Sequence, residues 1–167
     1  DISATPEKRG PNFKLLSEIS SECFMPLGYG GGITTLKEIE QLFNLGIEKV
    51  ILNTSAHSNA KLLTEATKTF GSQSIVASMD VKRGWLSKKQ MVYSNCGSIN
   101  TKISPHEYAK KMQDAGAGEI MVNSIDLDGT MVGYDLPLIK VISDTVSIPV
   151  VALGGAGSVE DFASAVK

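Results

Sequence analysis

Residues Gly116 to Asp135 read GAGEIMVNSIDLDGTMVGYD, and the reading of this stretch decides the fold. It opens on a Gly-rich turn, Gly116-Ala117-Gly118. A short apolar run follows, Ile120-Met121-Val122, then a polar tip, Asn123-Ser124-Ile125-Asp126, then Asp128-Gly129-Thr130 and Gly133. An apolar run that stops in carboxylates, hydroxyls and glycines is a buried strand whose C-terminal end carries chemistry. In α/β proteins that end is where ligands bind.

The same plan recurs on both sides of the stretch. Lys49-Val50-Ile51-Leu52 ends in Asn53-Thr54, and Ser74 to Met79 ends in Asp80. Phe24 to Leu27 reads as a strand running into the turn Gly28-Tyr29-Gly30-Gly31-Gly32, and Ile148 to Leu153 runs into Gly154-Gly155-Ala156-Gly157. Asp1-Ile2 reads as the tail of one more strand. Helical signals lie between these runs. Phe13, Leu15, Leu16 and Ile19 recur at helical spacing. Thr35-x-x-Glu38, Ser104-Pro105-x-Glu107 and Ser158-x-x-Asp161 are capping boxes. Further helices are expected over roughly Asn59 to Phe70 and from Leu136 to about Ile142. Only Val81 to Asn100, with Lys82-Arg83, Trp85 and Met91-Val92-Tyr93, breaks the rhythm. It reads as a long functional excursion, a small hairpin.

Alternating strands and helices predict right-handed βαβ units and a parallel sheet. The polar residues sit at many strand ends rather than at one switch point, which favours a (β/α)8 TIM barrel over a doubly wound sheet. Such a barrel takes roughly 200 to 250 residues. This chain has 167 and about six strands, so the expectation is a single barrel domain over 1–167, incomplete at both ends, with the first and last strands outside the chain. Leu27 to Leu42 also resembles Ala152 to Val166, with Gly30-Gly31 laid over Gly154-Gly155, and Asp1 to Ser20 resembles Asp126 to Ser143. A repeat at half a barrel's length predicts two half-barrels related by a twofold axis.

Composition excludes several classes. With 42% hydrophobic and 20% charged residues, the chain has an ordinary globular balance. Its net charge of -2 argues against nucleic acid and anionic membranes as partners. No apolar run approaches the ~18 residues of a membrane span, and no signal-peptide pattern is visible. Cys23 and Cys96 lack metal-ligand spacing and read as free thiols of a reducing cytoplasm. No Cys/His cluster points to zinc, so neither metal nor cofactor is expected. His57 and His106 lie in polar, helix-like contexts and are weak catalytic candidates.

Gly turns after barrel strands offer backbone N–H groups and helix N-termini to phosphate. The repeat therefore predicts two phosphate sites on opposite sides of the barrel mouth, spanned by a substrate phosphorylated at both ends. The alternative is that these glycines only permit tight turns. Asp80, ending an apolar strand, is the sharpest acid/base candidate; helix capping or a salt bridge to Lys82 is the alternative. Asp126 and Asp128 would face one side if the strand continued and could share a proton, although Asp128-Gly129 is equally a turn signal. For Asp128, ligand binding through the loop is preferred. Asn53-Thr54 offers an amide and a hydroxyl to phosphate oxygens, or a helix cap.

These residues resemble a known family, the cyclase (synthase) subunit of imidazole glycerol phosphate synthase. The resemblance rests on Gly30-Gly31-Gly32-Ile33, Asn53-Thr54, Phe70-Gly71-Ser72-Gln73, Asp80-Val81-Lys82-Arg83, Gly116 to Ile120, Ser124-Ile125-Asp126-x-Asp128-Gly129-Thr130, Gly133-Tyr134-Asp135 and Gly154 to Gly157. It implies a ribulose-phosphate-binding (β/α)8 barrel that takes ammonia from a glutaminase subunit. The ammonia attacks a ribulosyl aminoimidazole bisphosphate, giving imidazole glycerol phosphate and aminoimidazole carboxamide ribotide. It also implies Asp80 as the general acid, and Gly32, Asn53 and Thr54 at one phosphate. Asp128, Gly129, Thr130, Gly154 and Gly155 fall in the region of the other phosphate. Gln73 would lie near the ammonia route, with Lys49 and Glu119 in the charged ring facing the glutaminase. The family's other catalytic Asp belongs to a first strand preceding this chain. Leu127 stands where the histidine enzyme commonly has Arg, and Leu153 where it commonly has Ser. A branch of the family serves bacterial surface-sugar biosynthesis as an ammonia-channelling barrel subunit of an amidotransferase, which is the alternative implied.

Overall fold

A computed structural model describes residues 1–84 and 89–166. Trp85, in the expected excursion, lies outside the described residues. The elements run α1 (Phe13–Glu22), β1 (Gly28–Gly30), α2 (Leu36–Asn44), β2 (Lys49–Leu52), α3 (Thr54–Ser58), α4 (Ala60–Phe70), β3 (Ile75–Arg83), β4 (Gln90–Ser94), β5 (Ile99–Asn100), α5 (Pro105–Asp114), β6 (Glu119–Ser124), α6 (Leu136–Thr145), β7 (Val150–Leu153) and α7 (Val159–Ala165).

Five strands pair in parallel in the order β1-β2-β3-β6-β7. Each takes its place beside the strand before it, and no switch point interrupts the order. A doubly wound sheet reverses direction at its centre, whereas a (β/α)8 barrel adds strands in sequence. The fold is of the (β/α)8 barrel type, and among the described residues the sheet is open at β1 and β7. The expected excursion is an antiparallel hairpin, β4–β5, built onto the C-terminal half of β3.

Strand parity separates two chemistries. Val50, Leu52, Ala77, Met79, Ile120 and Val122 face outward and join the helices in one apolar core. The alternate residues, Ile51, Asn53, Ser78, Asp80, Met121 and Asn123, face inward and line a cleft. Side chains in a strand alternate between faces, so each strand contributes to both.

The internal repeat is real, and its register is one residue off the sequence alignment. Helices α1 and α6 match over their whole length, Phe13–Glu22 on Leu136–Thr145. Their caps match as well: Asn12 accepts from the Leu15 N–H at 3.1 Å and Asp135 from that of Leu138 at 3.2 Å. The capping boxes Thr35/Glu38 and Ser158/Asp161 correspond in the same way. The equivalent glycines are therefore Gly31-Gly32 and Gly154-Gly155, all with positive φ, rather than Gly30-Gly31 and Gly154-Gly155. A Cβ on Gly32 would come within 2.4 Å of the Arg9 carbonyl, and one on Gly155 within 2.1 Å of the Gly133 carbonyl. The constraint that aligns the halves is this backbone approach.

Other expectations shift. Asp1-Ile2 is not a strand in the described structure, and β1 is Gly28–Gly30 rather than Phe24–Leu27. Pairing to β2 starts only where Glu48 donates to the Leu27 carbonyl at 2.8 Å; Phe24 and Met25 are exposed. The short helix α3 and the extension of β3 to Arg83 were not foreseen.

All three expected capping boxes form. The Ser104 hydroxyl and N–H hold the Glu107 carboxyl below the usual carboxylate range, and the N–H groups of Gly157 and Ser158 do the same for Asp161. A depressed folded-state value means their contribution is complete above the ordinary carboxylate pKa and is lost as pH falls through the lower folded value. The double variant Glu107→Gln/Asp161→Asn keeps hydrogen-bonding oxygens but not the charge. Its urea midpoint should therefore fall less than the wild type's between about pH 5 and about pH 2.

Candidate active site at the strand C-termini

The inward residues frame a cleft of about 1120 Å³ at the C-terminal ends of the strands. Of the residues expected at the site, Gly32, Asn53, Thr54, Asp80 and Asp128 all line it. Asp80 is buried, at 8% exposure, deep on β3, and Asn123 Nδ2 donates to its Oδ1 at 2.9 Å. Burial and the charge of Asp80 push the phenol of Tyr108, on α5, upward. Neither alternative role for Asp80 is realised: it lies inside β3 rather than at a helix cap, and Lys82 is exposed. Arg83 instead pairs with Asp135 at 3.2 Å.

Asn53 precedes α3 without capping it through its side chain, which leaves its amide to the cleft. Thr54 Oγ1 accepts from the backbone N–H of Asn95 at 3.1 Å. This ties the start of α3 to the hairpin tip, where Asn95, Cys96 and Gly97 all have positive φ. Cys96 lines the cleft, and both cysteines are free.

Asp126 and Asp128 do not face one side. The strand ends at Ser124 and the chain turns, so the two carboxylates part. Asp126 accepts from the Arg83 N–H at 2.8 Å and lines a second, smaller cleft with Arg83, Leu127 and Asp135. Asp128 alone reaches the main cleft. Gly129, Thr130, Gly154 and Gly155 lie at the same end of the sheet but outside the lining described for this cleft. Gly129 is exposed with positive φ, Thr130 donates its hydroxyl to the Leu127 carbonyl at 2.7 Å, and Gly154 and Gly155 are buried against the Ser124 and Gly133 carbonyls. At the helix starts, Glu38 takes the N–H groups of Thr34 and Thr35, and Asp161 takes those of Gly157 and Ser158. An anion there would meet the N–H groups of the glycine turns rather than these helix-start donors.

Lys49 and Glu119 sit at the opposite end of the inner face and form an ion pair from β2 to β6 across β3. Gln73 is exposed on the 3-10 turn Ser72–Ser74 before β3, its amide folded back over Gly71. His57 is half-buried with its ring 6.2 Å from that of Tyr108. His106 is exposed beside Ser104. Neither histidine is among the residues lining the cleft.

Ser78, Met121, Asn123 and Leu153 also line the cleft and were missed as site residues. The signal was available: they sit at even spacing from Asp80 or pair in register with the residues that do. Leu153 is 45% exposed at the β7 tip, so it presents an apolar surface beside Asn123. Among the described residues no group of three or more His, Cys, Asp or Glu could hold a metal ion. No helix among them is long and apolar enough to cross a membrane.

A parallel sheet with strands added in sequence, a cleft at their C-termini and repeated glycine turns beside it defines a (β/α)8-type barrel. The histidine biosynthesis protein family model matches residues 1–167, and the chain belongs to that family. It is 44% identical over 165 residues to the imidazole glycerol phosphate synthase subunit HisF of Alkaliphilus metalliredigens, covering 99% of this chain and 65% of that one. It is 43% identical over 162 residues to the HisF subunit of Petrotoga mobilis, covering 97% and 64%. A Pseudomonas aeruginosa protein, provisionally named as subunit hisF2 of the same synthase, is 45% identical over 162 residues, covering 97% and 64%. The chain thus spans just under two thirds of the length of these relatives.

The Thr54–Asn95 contact gives a direct test of the cleft wall. Thr54→Val keeps the β-branched shape and removes the acceptor. It should cost about 1 kcal/mol and speed hydrogen exchange at the Asn95 amide about fivefold, with β2 amides unaffected.

Proposed function

We propose that the chain belongs to the cyclase (lyase) subunit of an imidazole glycerol phosphate synthase. In this reading ammonia from a glutaminase subunit attacks a ribulosyl aminoimidazole bisphosphate in the cleft. Imidazole glycerol phosphate and aminoimidazole carboxamide ribotide are the products. The observation that carries the reading is the placement of Asp80. It is the buried carboxylate of a cleft at the strand C-termini, in a chain whose relatives are named as subunits of this synthase.

Each part of the site has a role. Asp80 acts as general acid, its proton held against the substrate where water is sparse. Gly32, Asn53 and Thr54 receive one phosphate. Asp128, Gly129, Thr130, Gly154 and Gly155 shape the region of the other, and the repeat of the glycine turns supports a substrate with a phosphate at each end. Ammonia enters at the far end, where Lys49, Glu119 and Gln73 face the glutaminase, and passes along the inner face by Ser78 and Met121. No metal or cofactor takes part, and the setting is cytoplasmic. The barrel is a single domain, its sheet completed by strands beyond β1 and β7.

The names of the relatives favour this reading over an ammonia conduit for surface-sugar amidation. Turnover of the bisphosphate with ammonium salt, measured on the full-length protein, should fall at least about a hundredfold in Asp80→Asn. Undiminished turnover in that variant would remove Asp80 from its role. A wild-type protein that binds a glutaminase stably and turns over no bisphosphate would favour the conduit.

A further inference from the structure

We propose that Asn123 is the positioning residue for Asp80 and that its amide serves both protonation states of that carboxyl; the inference rests on the reading of Asp80 as general acid. Asn123 stands opposite Asp80 in the β3–β6 register and opposite Leu153 in the β6–β7 register. Its side chain lies on the inner face, in the cleft, away from the helices. Nδ2 donates to Asp80 Oδ1 at 2.9 Å. Oδ1 is buried and has no hydrogen-bond partner. It faces Gly154, where a Cβ would approach it to 3.2 Å.

A buried acceptor without a donor costs free energy, and a strand position facing helices would not retain one. Here the orphan oxygen has a use. An amide carries a donor and an acceptor on one planar group. Toward a carboxylate it presents N–H, as observed. After a half-turn it presents Oδ1, which accepts the O–H of a carboxylic acid. A general acid passes through both forms in every turnover, and one amide can hold the carboxyl in place through both. Gly154 leaves the amide free of a Cβ on that side. The other charged or titratable groups facing the cleft are Asp1, Lys8, Arg9, Glu38, Cys96 and Asp128, with Tyr108 behind on α5. None of them hydrogen-bonds Asp80 among the described residues, so the orientation of its carboxyl rests on Asn123.

A hydroxyl also donates and accepts, and an aliphatic group does neither. Asn123→Thr and Asn123→Val have nearly the same shape and suit a strand, so packing is held constant between them. In the full-length protein, with bisphosphate substrate and ammonium salt, Asn123→Thr should keep kcat within about threefold of wild type. Asn123→Val should lose about tenfold to a hundredfold in kcat with KM little changed. Equal kcat in the two variants, whether high or low, overturns the proposal. A second readout needs no turnover: the Asn123 side-chain N–H resonance should move upfield in Asp80→Asn, and an unmoved resonance overturns the contact. Full turnover in Asp80→Asn instead overturns the general-acid reading on which the inference rests. Loss of turnover there, with Thr and Val alike, overturns the role of Asn123 alone.

Discussion

Everything about the site depends on the six-residue parallel register of β3 with β6, Val76 to Val81 against Glu119 to Ser124. Strand side chains alternate, so a slip of one residue would exchange the two faces of the strand. Met79 and Val122 would then enter the cleft, and Asp80 and Asn123 would meet the helices. The apolar cost of that exchange sets the register. Ala77, Met79, Ile120 and Val122 are all buried against helices, each at 2% exposure or less. At roughly 25 cal/mol per Å² of apolar surface, exposing two such side chains costs more than any polar contact in the cleft returns. The geometry of the cleft is therefore held by residues that never touch it.

The repeat imposes a second constraint of a different kind. Each half brings a glycine turn against a backbone carbonyl: Gly32 against Arg9, and Gly155 against Gly133. Gly10 and Gly133 likewise lie against the capping carboxylates of Glu38 and Asp161. These contacts pack the strand–helix turn of one unit directly against the preceding loop. The cost is that Glu38 and Asp161 occupy donors that a helix start would otherwise offer to an anion. Local helix stability and anion binding draw on the same N–H groups, and the structure assigns some of them to the helix.

What was legible in the sequence follows from which signals are local. Capping boxes are four-residue patterns, and Thr35, Ser104 and Ser158 all start helices as read. Apolar runs such as Ile75 to Met79 are nearly context-free, and the strand order then fell out of alternation. The strand β1 was misplaced because Gly28-Tyr29-Gly30 has little strand propensity of its own; pairing to β2 makes it a strand. The repeat was aligned one residue out because three successive glycines, Gly30 to Gly32, look alike as letters. Only their φ values and their carbonyl neighbours distinguish them. Asp126 and Asp128 were grouped by spacing, and the turn after Ser124 separated them.

Asn123 shows why parity alone would not have been enough. Its position opposite Asp80 could be inferred once both strands were known, but its significance lies in the unequal fate of its two amide ends. One end meets a carboxylate and the other meets nothing. A residue whose only task was to fill the cleft would be more stable as an aliphatic, since an orphan acceptor is a net loss. A residue whose only task was to keep Asp80 ionised could be any donor. Retention of both ends fits the general-acid role proposed for Asp80, in which a carboxyl gives up and regains a proton without losing its place.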